Sequence, residues 1–400
     1  MFKALNRKPN VVMLALFVSC SVMGMTMITP AVPALRLDLG ISYNSAQLTI
    51  TIYLLAIGVG QLFFGSLSDR FGRRPIFLLG AILFCLSSII GMLTSTIELL
   101  VMARAAQGLG AAALLTIGRV IVNDVFPAQK GRMVLSTITA MQAVIPVIAL
   151  ATGGFVVDLF GWRGNMAILM IASFLVLFQA LFLMGETNNN KLPRLQLSDF
   201  TRAVMTVGTN PHWRYFTICA AVQVGIFQAM NGYMSYHFTR LGLSLSEFGL
   251  YYSVISFGYL IGNLVIRRAG HHYDGGFWVY WGSVLCVVLL MIMWALDALQ
   301  LLTPLILSAL LCLIGFSHGL LIANAIIASL TGTGAYAGTA NGMGGASHVL
   351  LGGIAGSLII LAGGATSFAV CMTITILMAL ASLWAAGKAR ALPITTSHTE

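Results

Sequence analysis

Apolar runs long enough to cross a membrane recur from one end of this sequence to the other, and they leave few structural choices. Spanning the hydrocarbon core of a bilayer takes about 20 apolar residues in a helix. Runs of that order lie near residues 11–36, 44–66, 75–95, 97–123, 132–158 and 164–184, and again near 212–239, 246–267, 276–296, 303–328, 338–362 and 365–387. Backbone groups in lipid must be satisfied within the protein, which admits only helices or closed barrels. These runs are continuous and lack the period-two alternation of a barrel strand. The sequence therefore predicts an all-α polytopic membrane protein with twelve transmembrane helices. Composition agrees: 58% of the 400 residues are hydrophobic and 8% are charged, too few to cover a soluble protein of this length.

The longest polar stretch, "GETNNNKLPRLQLSDFTRAVMTVGTNP", divides the runs into two sets of six. It predicts an N-terminal half over 1–184, a cytoplasmic linker over 185–211 and a C-terminal half over 212–400. The charges orient the whole. With the N-terminus inside, 16 of the 21 Lys and Arg residues fall in cytoplasmic segments, three (Arg36, Arg163 and Arg240) fall outside, and Arg104 and Arg119 lie within the fourth run. Such asymmetry is the signature of membrane orientation and places both termini in the cytoplasm. It also accounts for the net charge of +10 without nucleic acid, since the basic residues form no continuous face. The six cysteines sit inside apolar runs without metal or redox spacing, and read as small buried hydrophobes. The first run is too long for a signal-peptide core and reads as the first span.

Charge is concentrated in one loop, "GSLSDRFGRRP", from Gly65 to Pro75. "RAAQGLGAA" (104–112) opens the fourth run, "GRVIVNDVF" (118–126) ends it, "GWR" (161–163) follows the fifth, and "IANAIIASL" (322–330) closes the tenth. Together these resemble the major facilitator superfamily, and within it the bicyclomycin- and chloramphenicol-resistance branch of drug:proton antiporters. The resemblance covers essentially the whole chain. It implies two six-helix halves that alternate access to a central cavity. It also implies gating roles for Gly65, Asp69, Arg70, Gly72, Arg73, Arg74, Arg119 and Asp124. Glycines 65 and 72 suit a close turn between helices. Asp69 is suited to accept backbone N–H groups at a helix N-terminus, which the resemblance identifies as that of the eleventh span near Ala337 or Gly338. Arg73 resembles the basic partner of an acid at the end of the fourth span, here Asp124. Such contacts are expected to tie the two halves together on the cytoplasmic side in the outward-facing state and to break during alternation, with Arg119 joining Asp124 at the inner gate.

Arginine inside a membrane is costly and usually faces a cavity. The resemblance makes Arg104 a proton-coupling or conformation-linked residue; a structural arginine bonded to carbonyls and to Gln107 is the alternative. No Asp or Glu lies in the middle of any span. Thr26 stands where the branch carries an acid in its first helix. His318 and His348 are then candidate proton carriers, although a helical histidine also serves as a packed hydrogen-bonder. With Arg104 they would make the cavity neutral to positive. Gln223, Asn231 and Asn324 fall at cavity depth, where substrate contact and helix packing are both open readings. Pro146, with Gly153 and Gly154, resembles the small-residue stretch that lets a helix of one half approach the other. Tyr233, Tyr236, Tyr251 and Tyr252 fit either a lining of the outer part of the cavity or an interfacial belt, of which the belt is the preferred reading.

These features predict a secondary active transporter working as a monomer in the bacterial inner membrane. Its expected partners are a small-molecule substrate, protons and the lipid bilayer, with the proton gradient as energy source and no cofactor. Export of drugs or metabolites is the leading reading. Export of a specific anionic metabolite, such as a carboxylate-type siderophore, and proton-coupled uptake are alternatives. No hydrolase, metal-site or phosphate-loop pattern is present, so enzymatic activity is not expected.

Overall fold

A computed structural model describes residues 9–188, 197–270, 272–333, 336–362 and 367–392. Among them the chain forms thirteen α-helices and one 3-10 turn, and no strand. The N-terminal half comprises α1 (Val11–Thr26), α2 (Val32–Leu39), α3 (Tyr43–Phe71), α4 (Arg73–Leu93), α5 (Ile97–Val125) and α6 (Ala128–Leu183). After α7 (Leu197–Thr209), the C-terminal half comprises α8 (Pro211–Arg240), α9 (Leu245–Ala269), α10 (Gly275–Ala298), α11 (Pro304–Ser329), α12 (Ala337–Leu361) and α13 (Phe368–Arg390).

Helix starts follow local chemistry. Asn10, Ser42, Asn210, Asp274, Thr303 and Ser367 each accept a backbone N–H at a helix N-terminus. Ser244 and Glu247 form a reciprocal capping box at α9. The first span is not one helix. Its path breaks after Thr26 into the 3-10 turn Thr29–Ala31 and then α2, because Pro30 and Pro33 remove two backbone donors there. The opposite difference occurs at α6, whose 56 residues carry two spans. They meet at Gly161, where φ is 69° and ψ −179°, without an intervening loop.

Ten segments are long and apolar enough to cross a membrane by length and composition. One of them, Val144–Leu183, contains the break at Gly161 and so supplies two crossings. The twelfth crossing is α8, 30 residues long, whose apolar character is diluted by Gln223, Gln228, Asn231 and His237. One core fills the N-terminal half and a second fills the C-terminal half. Large apolar side chains such as Leu86, Phe178, Trp281 and Leu361 remain exposed on the outer faces, as lipid-facing surfaces require. The halves meet mainly where α12 packs on α3 and where α6 packs on α9.

Within the predicted linker, residues 189–196 lie outside the described residues, and α7 forms a helix where a polar connection was expected. Ala203 and Val207 of α7 are buried while Arg202 and Met205 are exposed. Val207 packs with Trp213 and Ala340, which docks α7 against the starts of α8 and α12.

Candidate functional site

The loop between α3 and α4 folds onto its own half. Asp69 lies near the end of α3, and Arg73 is the first residue of α4. The Arg73 guanidinium donates to Asp69, to Ser68 Oγ at 2.7 Å and to Asp124 Oδ2 at 3.0 Å. Gly72, at φ 103°, supplies a backbone conformation that side-chain-bearing residues avoid. Gly65 has room to spare: a Cβ there would meet Thr116 at an ordinary 3.8 Å, so close packing does not require glycine at that position in this arrangement. Arg70 lies over the Phe71 ring, and Arg74 donates to the Leu181 carbonyl.

Three residues outside the loop complete this network, and sequence reasoning did not single them out. Glu186 Oε1 accepts the backbone N–H groups of Arg73, Thr187 and Asn188, each at 2.9 Å. It thereby serves the N-terminus of α4, which has no side-chain cap of its own. Thr187 donates to Asp124, and the Asn188 amide donates to the Asp69 carbonyl. The signal was an acid followed by short polar residues directly after the sixth apolar run.

Three expectations change here. The Arg73–Asp124 pair joins α4 to α5 within one half, so it does not tie the halves together. Asp69 is engaged by Arg73, and α12 begins at Tyr336 without a side-chain cap. Arg119 does not reach Asp124 either; it donates to Gln142 Oε1 at 2.9 Å.

The physical reason lies at the other end of the molecule, where the halves are clamped. Tyr43 of α3 hydrogen-bonds Ser235 of α8 at 2.8 Å and packs on Tyr236, ring centres 4.6 Å apart. Asp158 of α6 accepts from Ser246 of α9 through both its backbone N–H, at 2.9 Å, and its hydroxyl. Gly154 packs against the Leu245 backbone, and Gly249 against that of Leu150 and Ala151, approaches that leave no room for a Cβ. Among the described residues, the side-chain hydrogen bonds that cross between the halves lie at this end rather than at the arginine-rich end.

Arg104 is 1% exposed and does not line a cavity. It donates from Nε to the Thr49 carbonyl and from Nη2 to the Gly24 carbonyl, both at 2.9 Å, and from Nη1 to Gln107. Its guanidinium also sits 4.0 Å from the centre of the Tyr53 ring. Gln107 passes the chain on to Ser88 at 2.7 Å. This cation knits α1, α3, α4 and α5 together inside the N-terminal half. It therefore supplies no positive charge to the space between the halves.

The two candidate histidines are not brought together. His318 is 3% exposed within the C-terminal half, where Cys286 Sγ lies 3.9 Å from its Nε2. His348, on α12, is only partly buried and lies within electrostatic range of Arg119 on α5. Arg119, Gln142 and His348 thus bring polar groups from both halves to one region. Thr26 is buried and donates to the Val22 carbonyl of its own helix. Gln223 donates to Ser382 at 3.2 Å and is fully buried between α8 and α13, away from any cavity. Asn231 is likewise fully buried and donates to Gln228. Asn324 donates to Leu320 one turn earlier in α11. Pro146 lies within the first segment of α6. Tyr233 and Tyr252 are fully buried in the C-terminal core and form no interfacial belt.

Comparison with known proteins matches residues 14–357 to the family described as Major Facilitator Superfamily. A chloramphenicol resistance protein of Pseudomonas aeruginosa is 33% identical over 219 residues, covering 54% of this chain and 51% of that protein. Multidrug resistance protein D of Escherichia coli K12 is 27% identical over 297 residues, covering 73% and 74%. The match to the first of these relatives spans about half its length. Among solved structures, a D-xylose–proton symporter superposes with a TM-score of 0.70 at 17% identity, over 92% of this chain and 96% of that one, a likeness of fold.

Proposed function

Since the chain belongs to the Major Facilitator Superfamily, we propose that it is a proton-driven exporter of small organic compounds working by alternating access. The observation that carries this reading is the asymmetry between the two ends. One end is clamped across the halves by Tyr43–Ser235 and Asp158–Ser246, while the carboxylate of the signature loop is engaged within its own half. That is one of the two arrangements an alternating-access carrier requires. The arginine-rich end is the cytoplasmic one by the asymmetry of Lys and Arg, so this arrangement faces the cytoplasm, with both termini inside a bacterial inner membrane. The functional unit is the monomer, since each chain carries both halves.

Resistance proteins among the relatives support drug-like cargo. A second reading, export of an anionic metabolite, is favoured by Arg119. It has no acidic partner among the described residues and shares its region with His348 of the opposite half. Both readings are tested with purified protein in proteoliposomes, using chloramphenicol and a panel of aromatic carboxylates as probes. Accumulation driven by an imposed pH gradient and abolished by a protonophore supports proton-driven export. Accumulation that ignores the gradient overturns it. Preference for carboxylates that is lost on Arg119→Gln selects the second reading.

A further inference from the structure

Proton coupling, on which this inference rests, needs a group that takes up and gives back a proton. The spans carry no mid-membrane carboxylate, Arg104 is locked by carbonyls, His318 is enclosed in its half, and His348 lies within range of the Arg119 cation, where a second positive charge is repelled. One side chain is built differently. His237, near the end of α8, is 7% exposed, and neither ring nitrogen has a hydrogen-bond partner. Its ring lies 4.5 Å from that of Phe368 on α13 and 5.9 Å from that of Tyr233. The hydroxyls of Tyr233 and Tyr252, both fully buried, are also without partners. Buried polar groups are nearly always paired, so several orphans in one region mark a site rather than a packing accident.

The titratable and charged groups around the imidazole come from four helices. Tyr233, Tyr236 and Arg240 lie on α8 itself. Cys371 of α13 is within electrostatic range of both buried phenols, Tyr252 belongs to α9, and Asp297 at the end of α10 is within range of Tyr233 and Arg240. On α11, Ser308 is buried with an unpartnered hydroxyl, and it does not titrate. The same turns of α8 carry Ser235 and Tyr236, which close the end of the molecule on Tyr43.

We propose that His237 is the proton-loading group of the transport cycle, seated on the helix end that seals the two halves. A proton from bulk water at this end adds to a ring nitrogen while the end is open, and it leaves as the seal closes over the ring, toward the space between the halves that then faces the opposite side. A neutral imidazole is tolerated in the sealed pocket. An imidazolium there would hold two donors without acceptors, so loading loosens the end of α8 and with it the Tyr43 contact. Unloading lets the seal re-form. The charge on one face of α8 is thereby converted into opening and closing on the other.

The test reads the seal directly and needs no substrate. Ser246→Cys places a thiol under the Asp158 contact, and a membrane-impermeant maleimide applied to sealed vesicles reports its exposure. Labelling is expected to rise several-fold as the pH is lowered from about 8 to about 4, a range wide enough to span the titration of a buried imidazole. Adding His237→Gln should flatten that profile, as should His237→Phe, which fills the space and guards against a folding defect in either variant. A profile that persists in both variants, or one already flat with His237 present, overturns the proposal. In proteoliposomes, His237→Gln should also lose pH-driven chloramphenicol accumulation while counterflow without a gradient persists. Failure of pH-driven accumulation with His237 intact would instead strike the proposed function, whatever the labelling shows.

Discussion

At the scale of the residue, the two intramembrane arginines show what a sequence can and cannot settle. A buried guanidinium must find acceptors, and that much was legible in Arg104. Whether it finds them in a cavity or among carbonyls depends on where two other helices place Gly24 and Thr49, and no local pattern records that. Its role follows from the geometry. Replacing it with methionine strips charged donors from two buried carbonyls and the Gln107 amide, a loss of about 3 kcal/mol or more. Arg104→Met should therefore lower the thermal unfolding midpoint in detergent by several degrees. It should leave the order of preference among transported compounds unchanged, because the side chain does not touch the space between the halves. Arg119→Gln is its converse: little loss of stability, since one hydrogen bond to Gln142 is at stake, and a change in substrate preference measured by transport competition.

At the scale of the element, the long apolar helices were plain in the sequence because lipid imposes length and continuity. The breaks were harder to see. Pro30 and Pro33 interrupt the first span and Gly161 joins two spans without a loop, both outcomes of backbone chemistry rather than of hydropathy. The helix α7 was missed because it is too short and too polar to read as a span, although Ala203, Val204 and Val207 recur at helical spacing. Glu186 was missed for a different reason: it caps a helix more than a hundred residues earlier in the chain. Glu186→Ala should destabilise the first turn of α4 by about 1 kcal/mol. Faster amide exchange at Arg73, with the middle of α4 unchanged, would register that loss. The contact of α6 with α9 makes a larger prediction. A side chain at Gly154 runs into the Leu245 backbone, and overpacking of this kind costs about 1–3 kcal/mol. The cost falls only on the arrangement closed at that end, so Gly154→Val should shift the population away from it by about tenfold or more. Transport assays should record a matching loss while the folded fraction in detergent is preserved.

At the scale of the whole molecule, the sequence carried the two halves and the loop that distinguishes one end. It did not carry the arrangement in which they meet. Asp69, Arg73 and Asp124 were legible as a group because short loops and helix ends confine them, and they do come together. Their partnership within a single half was not legible, since it depends on which end of the molecule is closed. That choice is made by backbone contacts between α6 and α9 and by the polar pairs around them. A carrier must release this clamp in every cycle, whereas a pore of fixed shape has no such need. Asp158 and Ser246 offer the cleanest control of it. They are accessible from outside and in direct contact across the halves, and the native cysteines lie buried except for the half-buried Cys312. The double variant Asp158→Cys/Ser246→Cys should form a disulfide under mild oxidant and lose all transport, and reductant should restore it. Binding of a probe from the cytoplasmic side should survive the cross-link, because the locked form is the one proposed above to face that way. Transport that continues at its full rate through the cross-linked protein would mean that this end need not open, and alternating access would then be the wrong description of the molecule.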